Sequence, residues 1–500
     1  MTSSNEAANR LEWFQEQFKS SEDIVYHQFT LPSDISCALI YIKGMVNLEL
    51  IHNHLLAPLI NNKDMETTLD ELLQKIAYQK KISVSGYSVT RDLNKAKLEL
   101  LDGNTILLMD NEEKMAVFPL IDYEVRAISE STNESVIRGP RESFVEDMQI
   151  NITMIRRKIK SEKLAIESFR FGELTQTKTS ILYIDGICEK KLIDEIKSRL
   201  QRVEIDGIFD PGYLEDFLED SPFSIFPQLE STEKPDVVSA CLLDGRAVIM
   251  TDGSPNCIIA PVTFFMLMQS AEDYYHRHFI GTWVRWIRLF SLATALLLPS
   301  LYIAVTTFHP EMVPTNLILT ISAARDIVPF PGILEAMMLE LTFEVLREAS
   351  VRIPKLIGQT VSILGALVIG TAAVQAGIVS APMVIVVSLT GITSYVIPHN
   401  NLVNAIRLLR FPTLIMAGVL GLFGIMMVIL LILIHLCSLR SFGTPYLTPV
   451  APFKFSDWKD TYIRVPFWLM SKRSHLPTTK NQTRSKKLLR PKLPTEGEQD

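Results

Sequence analysis

Five hundred residues, 47% hydrophobic and 21% charged, give averages that mix two unlike halves rather than describing one kind of chain. The formal net charge of −7 is likewise a composite of an acidic body and a basic tail. Five cysteines with neither a C-x-x-C pair nor a zinc spacing exclude a disulfide framework and fit reduced thiols.

The first residues carry Glu6, Arg10 and Glu12 without an apolar core, so they do not read as a secretory signal peptide. Residues 1–288 are expected to stay in the cytoplasm. Within them the sequence repeats itself at an offset of 142. Ile40-Tyr41-Ile42-Lys43-Gly44 resembles Leu182-Tyr183-Ile184-Asp185-Gly186, and Leu100-Leu101-Asp102-Gly103 matches Leu242-Leu243-Asp244-Gly245. Asp110 pairs with Asp252 and Pro119 with Pro261 in the same register. Each copy opens with a β-forming apolar run and continues at helical period. Each closes with Asp-Gly between apolar runs, Val237–Leu243 and Arg246–Met250 in the second copy, which predicts a type I′ hairpin. The expected fold is two similar α/β subdomains, 1–138 and 173–270.

Between them, 139–172 is read as a linker helix region. Met148, Ile152, Ile155 and Ile159 recur as one apolar face. Arg156, Arg157, Lys158, Lys160 and Lys163 crowd its far end, either as a solvated cationic helix terminus or as a docking surface. Arg156 and Arg157 are the candidate inter-domain or inter-subunit contacts.

From Leu289 the charges thin out, and 271–440 is read as an α-helical transmembrane bundle. Residues 289–308 hold no charge, enough to cross a bilayer, and Arg285 and Arg288 place their start inside. Residues 356–406 are charge-free and long enough for a pair of spans divided at Ala381-Pro382; 411–439 is read as one tilted span. The segment 327–351 is ambiguous, because Glu340, Glu344 and Glu348 form an acidic stripe on an otherwise apolar helix. It either crosses the membrane, giving five spans, or lies at the surface, giving four. The even number agrees better with the positive-inside rule. Gly365, Gly370, Gly418, Gly421 and Gly424 suit close helix approach.

The tail, 441–500, carries eight Lys/Arg and no acid between Lys472 and Lys492, which reads as a cytoplasmic segment facing lipid. No aromatic side chains are interleaved with these charges, so nucleic acid is not the expected partner. No P-loop, dinucleotide fingerprint, H-E-x-x-H or G-x-S-x-G occurs, so no enzyme is expected and no cofactor or metal is assigned. The Glu272–His278 cluster reads as an approach to the first span rather than as a metal site.

Several stretches resemble the A subunits of GerA-type nutrient germinant receptors of spore-forming bacteria. They are Gly139-Pro140-Arg141-Glu142-Ser143-Phe144 with Arg156-Arg157, Pro235-Asp236 through Asp252-Gly253-Ser254-Pro255, and Glu272-Asp273-Tyr274-Tyr275. Val328-Pro329-Phe330-Pro331, Leu346-Arg347-Glu348-Ala349 with Arg352-Ile353-Pro354, and Ser441-Phe442-Gly443-Thr444-Pro445-Tyr446-Leu447 complete the set. The resemblance implies a role in starting germination from the spore's inner membrane. It also implies a transporter-like B subunit and a lipoprotein C subunit as partners, and assembly into an oligomeric, ligand-gated ion channel. Glu340, Glu344 and Glu348 are the candidate pore or gating residues. The rival functions are a non-conducting signalling scaffold and, last, a secondary transporter.

Overall fold

A computed structural model describes residues 6–32, 34–61, 87–110, 112–122, 134, 136–352, 368–454, 457–473, 476 and 479–484. The chain divides into two compact units. The first comprises Met1–Glu219, Leu229–Pro261 and Trp468–Asp500; the second comprises Asp220–Gln228 and Val262–Phe467.

Among its described residues the first unit contains two five-stranded antiparallel sheets of identical order. Strands β1 (Ile24–Thr30), β2 (Ser36–Ile42), β3 (Ser88–Thr90), β4 (Thr105–Met109) and β5 (Met115–Phe118) are arranged β1-β2-β4-β5-β3. Strands β6 (Leu164–Phe171), β7 (Thr177–Ile184), β8 (Glu230–Thr232), β9 (Ala247–Thr251) and β10 (Cys257–Ala260) are arranged β6-β7-β9-β10-β8. Among the described residues, its helices of seven or more residues are α1 (Glu6–Gln17), α2 (Leu93–Leu101), α3 (Met148–Lys158), α4 (Lys190–Leu200), α5 (Gly212–Leu218) and α6 (Pro235–Leu243). The first sheet is covered on both faces. Ile40, Ile106 and Leu108 pack with Phe14 of α1 and Leu100 of α2, whereas Leu39 and Leu107 pack with Leu55 and Leu59 of the helical stretch 48–61. Double coverage explains why β2 reads as a continuous apolar run instead of alternating.

Two expectations are corrected. The Asp-Gly pairs do not turn hairpins: Asp102 and Asp244 are the C-caps of α2 and α6, and Gly103 (φ 99°) and Gly245 (φ 87°) follow them in the left-handed region. A helix C-terminus and a type I′ turn both call for a residue at positive φ, so the dipeptide alone cannot separate them. Pro235 in the first turn of α6 is the signal that favours helix. The hairpin β9–β10 turns instead through Asp252-Gly253. Second, α3 is not a connector. The offset of 142 that superimposes the sequence copies carries α1 onto α3, and α3 buries Met148, Ile152 and Ile155 against Leu164, Leu182 and Met250. It is the first helix of the second copy.

The second unit is mainly helical; among the described residues its helices of ten or more residues are α7 (His278–Phe308), α8 (Thr315–Arg325), α9 (Gly332–Arg352), α10 (Ala381–Ser394), α11 (Asn400–Leu420) and α12 (Leu422–Ser438). Among the described residues, α7 and α11 are long and apolar enough to cross a membrane, and α10 and α12 are shorter apolar helices. Helix α7 begins at His278, well before the charge-free run at Leu289. The single span expected over 411–439 is broken at Gly421, whose φ of 61° ends α11 and starts α12. Of the first half of the expected pair, residues 356–367, with Gly365, lie outside the described residues, and 368–375 are helical. Gly418 lies against Ile333 of α9 and Gly421 against Phe308 of α7, so these two glycines mark close approaches; among the described residues nothing lies within 4 Å of a Cβ placed at Gly370.

Candidate functional site

The second unit is inverted in polarity. Ile385 and Ile392 of α10, Val419 of α11 and Phe423, Met426 and Leu430 of α12 are exposed, while Glu335, Glu340, Arg407 and Arg410 are buried. Such an arrangement suits an apolar surround, because a charged group facing lipid is costly unless it turns inward to a partner.

Arg410 is the centre of the buried charges. Its Nε donates to the carbonyl of Ala295 on α7 at 2.8 Å, its Nη1 to Glu340 Oε2 on α9 at 2.5 Å and its Nη2 to Ser394 Oγ on α10 at 3.3 Å. One side chain from α11 therefore ties together four helices at 1% exposure. Pro299 explains the first contact: a proline has no N–H to give to the carbonyl four residues earlier, which here is that of Ala295. One turn along, Arg407 Nε donates to Glu344 Oε1 at 2.8 Å. The i, i+3 spacing of the arginines on α11 meets the i, i+4 spacing of the carboxylates on α9. Glu348 takes no part. It pairs with Arg352 on its own helix at 2.7 Å, at the exposed end.

The expected stripe is thus divided into one fully buried carboxylate, one partly buried and one exposed. The first two are neutralised by arginines that, in sequence, look only like flanks of a span. Glu335, in the first turn of α9, is fully buried too; it accepts from the backbone N–H and hydroxyl of Ser380 at 2.6 and 2.5 Å. Ser380 is the N-cap of α10, where the helix dipole favours an anion. Glu335 Oε2 and Glu340 Oε1 are buried without a hydrogen-bond partner among the described residues.

Arg285 and Arg288 are also spent internally. Both reach Asp273 Oδ2, at 3.3 and 2.6 Å, and Arg285 additionally pairs with Asp460 Oδ1 at 3.1 Å. They are buried at 6% exposure, so they are poor markers of membrane orientation. Asp273, from the Glu272–His278 cluster, anchors them; no group of three metal-ligating side chains occurs among the described residues.

In the first unit, Arg156 and Arg157 diverge. Arg157 is exposed, whereas Arg156 is 1% exposed and makes a two-pronged ion pair with Asp23, Nε to Oδ2 at 2.7 Å and Nη2 to Oδ1 at 2.8 Å. It also donates to Ser21 Oγ and to the carbonyls of Ser161 and Leu164. Asp23 immediately precedes β1, and Ser21 bridges Ile166 of β6 in parallel. Arg156 therefore sits where the first copy's entry strand meets the second copy's edge. The apolar period of α3 gave no sign of this, since Arg156 falls next to the apolar stripe, where a charged residue normally reads as solvated.

The family model described as Bacillus/Clostridium GerA spore germination protein matches residues 12–476. The uncharacterized membrane protein YfkQ of Bacillus subtilis (strain 168) is 44% identical over 90% of this chain and 87% of its own length. Spore germination protein KA of the same organism is 41% identical over 94% and 87%, and spore germination protein GerLA of Bacillus cereus 34% over 94% and 95%. The crystal structure of the N-terminal domain of the A subunit of the Bacillus megaterium spore germinant receptor GerK3 aligns at 30% identity. It covers 51% of this chain and 94% of that one, with a TM-score of 0.40.

Proposed function

Because this chain belongs to the Bacillus/Clostridium GerA spore germination protein family, we propose that it is a multi-pass membrane A subunit of a nutrient germinant receptor. Its helical unit forms or gates an ion-conducting path when germination is triggered. Transporter-like B and lipoprotein C subunits are the partners this reading requires, with further copies of the chain completing an oligomer. The observation that carries the membrane half is the inverted polarity of the second unit. The Glu340–Arg410 and Glu344–Arg407 pairs support the gating half. A carboxylate neutralised by an arginine adds little field to a conducting path, and parting the two helices would unmask it. In that scheme the pairs belong to a closed state.

The test is ion release by spores after germinant addition. Replacing Glu340, Glu344 and Glu348 together with Gln should slow release at least several-fold at unchanged protein level. Normal release at normal abundance removes these carboxylates from the path. The neutralised pairs equally suit a non-conducting scaffold, in which the charges only hold helices together. Conductance by the purified assembly in planar bilayers separates the two.

A further inference from the structure

The two copies in the first unit differ at one edge. In the first copy the chain leaving β5 turns back and pairs with the residues that follow β2. Ile121 bridges Val46, the Asn47 N–H donates to the Leu120 carbonyl at 3.2 Å, and the Asp122 N–H donates to the Met45 carbonyl at 3.2 Å. In the register that relates the copies, Met45 and Val46 correspond to Ile187 and Cys188, and Ile121 corresponds to Thr263. Thr263 is not there. The chain leaves the first unit at Pro261, and the Val262 N–H is donated to Ser441 Oγ within the helical unit.

The vacated edge is filled from the far end of the sequence. Thr479 bridges Cys188 in the antiparallel sense, as Ile121 does Val46, and the Lys480 N–H donates to the Ile187 carbonyl at 2.8 Å, as Asp122 does to Met45. Further contacts fix the segment. Thr479 Oγ1 donates to the Asp244 carbonyl at 2.8 Å, Arg473 Nε to the Leu243 carbonyl at 2.6 Å, and Arg484 pairs with the Asp244 carboxylate at 3.2 Å. These carbonyls close α6, whose C-terminus has backbone acceptors to spare and favours cations. Thr479 is 5% exposed and Leu476 3%, so these residues are packed in, not laid on. At Gly245 a Cβ would meet Thr479 Oγ1 at 3.0 Å and the Ile187 carbonyl at 3.3 Å.

We propose that the segment centred on Thr479 and Lys480 is the missing edge of the second α/β copy, supplied in cis after the chain has passed through the helical unit. The basic tail is then, over this stretch, a structural element spent on protein carbonyls and a carboxylate. With the membrane reading above, on which this corollary rests, the segments entering and leaving the helical unit lie on one side of the bilayer. The number of crossings is even.

A single substitution tests it, because Cys188 is already in place. Residues facing each other in an antiparallel bridge have Cα atoms about 4.5–5.5 Å apart, within the reach of a disulfide. Burial raises the Cys188 thiol to about 12, so oxidation of membranes holding the full-length T479C protein is run at about pH 9. The expected product is a 188–479 linked peptide within one chain, found by mass spectrometry, with its yield lowered several-fold by adding Arg473→Glu. Independently of any thiol chemistry, hydrogen exchange on the unmodified full chain should find the Lys480 amide slowed at least tenfold against an unstructured peptide. Unprotected exchange at Lys480 overturns the proposal, as does a disulfide that joins two chains. Labelling of the thiol introduced by T479C, in a C188S background, by an impermeant maleimide from the side opposite the N-terminal unit overturns the even count. Recovery of the whole chain in the soluble fraction would instead strike at the membrane reading and leave the edge intact.

Discussion

Arg410 donates to the carbonyl of Ala295, the acceptor that Pro299 leaves without its helical N–H. A defect in the backbone of α7 and a charge on α11 thus complete each other, and the guanidinium's remaining donors go to Glu340 and Ser394.

Removing Arg410 should therefore cost more than a surface arginine would. Arg410→Gln leaves Glu340 as an unpaired buried carboxylate, and the loss is expected at about 3–5 kcal/mol. Glu340→Gln added to it should restore a large part. Thermal unfolding of the detergent-solubilised chain, run as a double-mutant cycle, measures the coupling. Additive effects of the two substitutions would mean that the pair does not form.

Arg156→Lys should weaken the first unit nearly as much as Arg156→Ala, because an ammonium cannot reproduce the two-pronged bond to Asp23 and still reach Ser21 and Leu164. A loss of about 3 kcal/mol is expected for the alanine variant. Arg157→Ala, at the exposed neighbour, should stay within about 0.5 kcal/mol of the parent. Hydrogen exchange across β1 and β6 reports the difference directly.

Acidity should stabilise the first unit through two carboxyls. Burial raises Glu134 to about 7, with Glu230 adding to it against the bonds from Thr232 and Glu233. Burial also raises Glu215 to about 7, reinforced by Glu219, Asp210 and Asp216. A folded-state value above the unfolded 4.5 means that the folded form binds the proton more tightly. This contribution is complete below about pH 4.5 and is lost as pH rises through about 7. Glu134→Gln and Glu215→Gln should each flatten the fall in melting temperature between about pH 5 and pH 8. A fall as steep as the parent's in both variants would assign it to other groups.

Gly421→Ala should destabilise the α11–α12 turn by about 1–2 kcal/mol, since its φ of 61° is unfavourable for any residue with a Cβ. The added methyl also meets the Phe308 ring at 3.0 Å. Phe308→Ala should recover only the steric part, read as protein abundance in membranes; complete recovery would show that the backbone conformation costs nothing.

Much of this protein could be read without coordinates, wherever one physical signal dominates a long window. The internal repeat, the change from charge-bearing to apolar sequence near Leu289 and the α/β character of each copy are of that kind. The family motifs, spread from Gly139 to Leu447, added the role in germination. Short signals that two structures share were another matter. Asp-Gly serves a helix end as well as a hairpin, and the charge-free run 411–439 does not reveal that Gly421 turns it. The acidic stripe was visible as a spacing, but its neutralisation was not. Arg407 and Arg410 lie 63 and 70 residues from Glu344 and Glu340 along the chain and resemble the ordinary flank of a span.

Local sequence determined which segments bury apolar surface, because that preference is decided by neighbours within a few residues. Only the tertiary structure decided the partners: Arg410 with Ala295 and Glu340, Arg156 with Asp23, and Thr479 with Cys188. Buried charges and open strand edges must be satisfied by whatever the fold brings within about 3 Å, and that choice is written in three dimensions rather than along the chain.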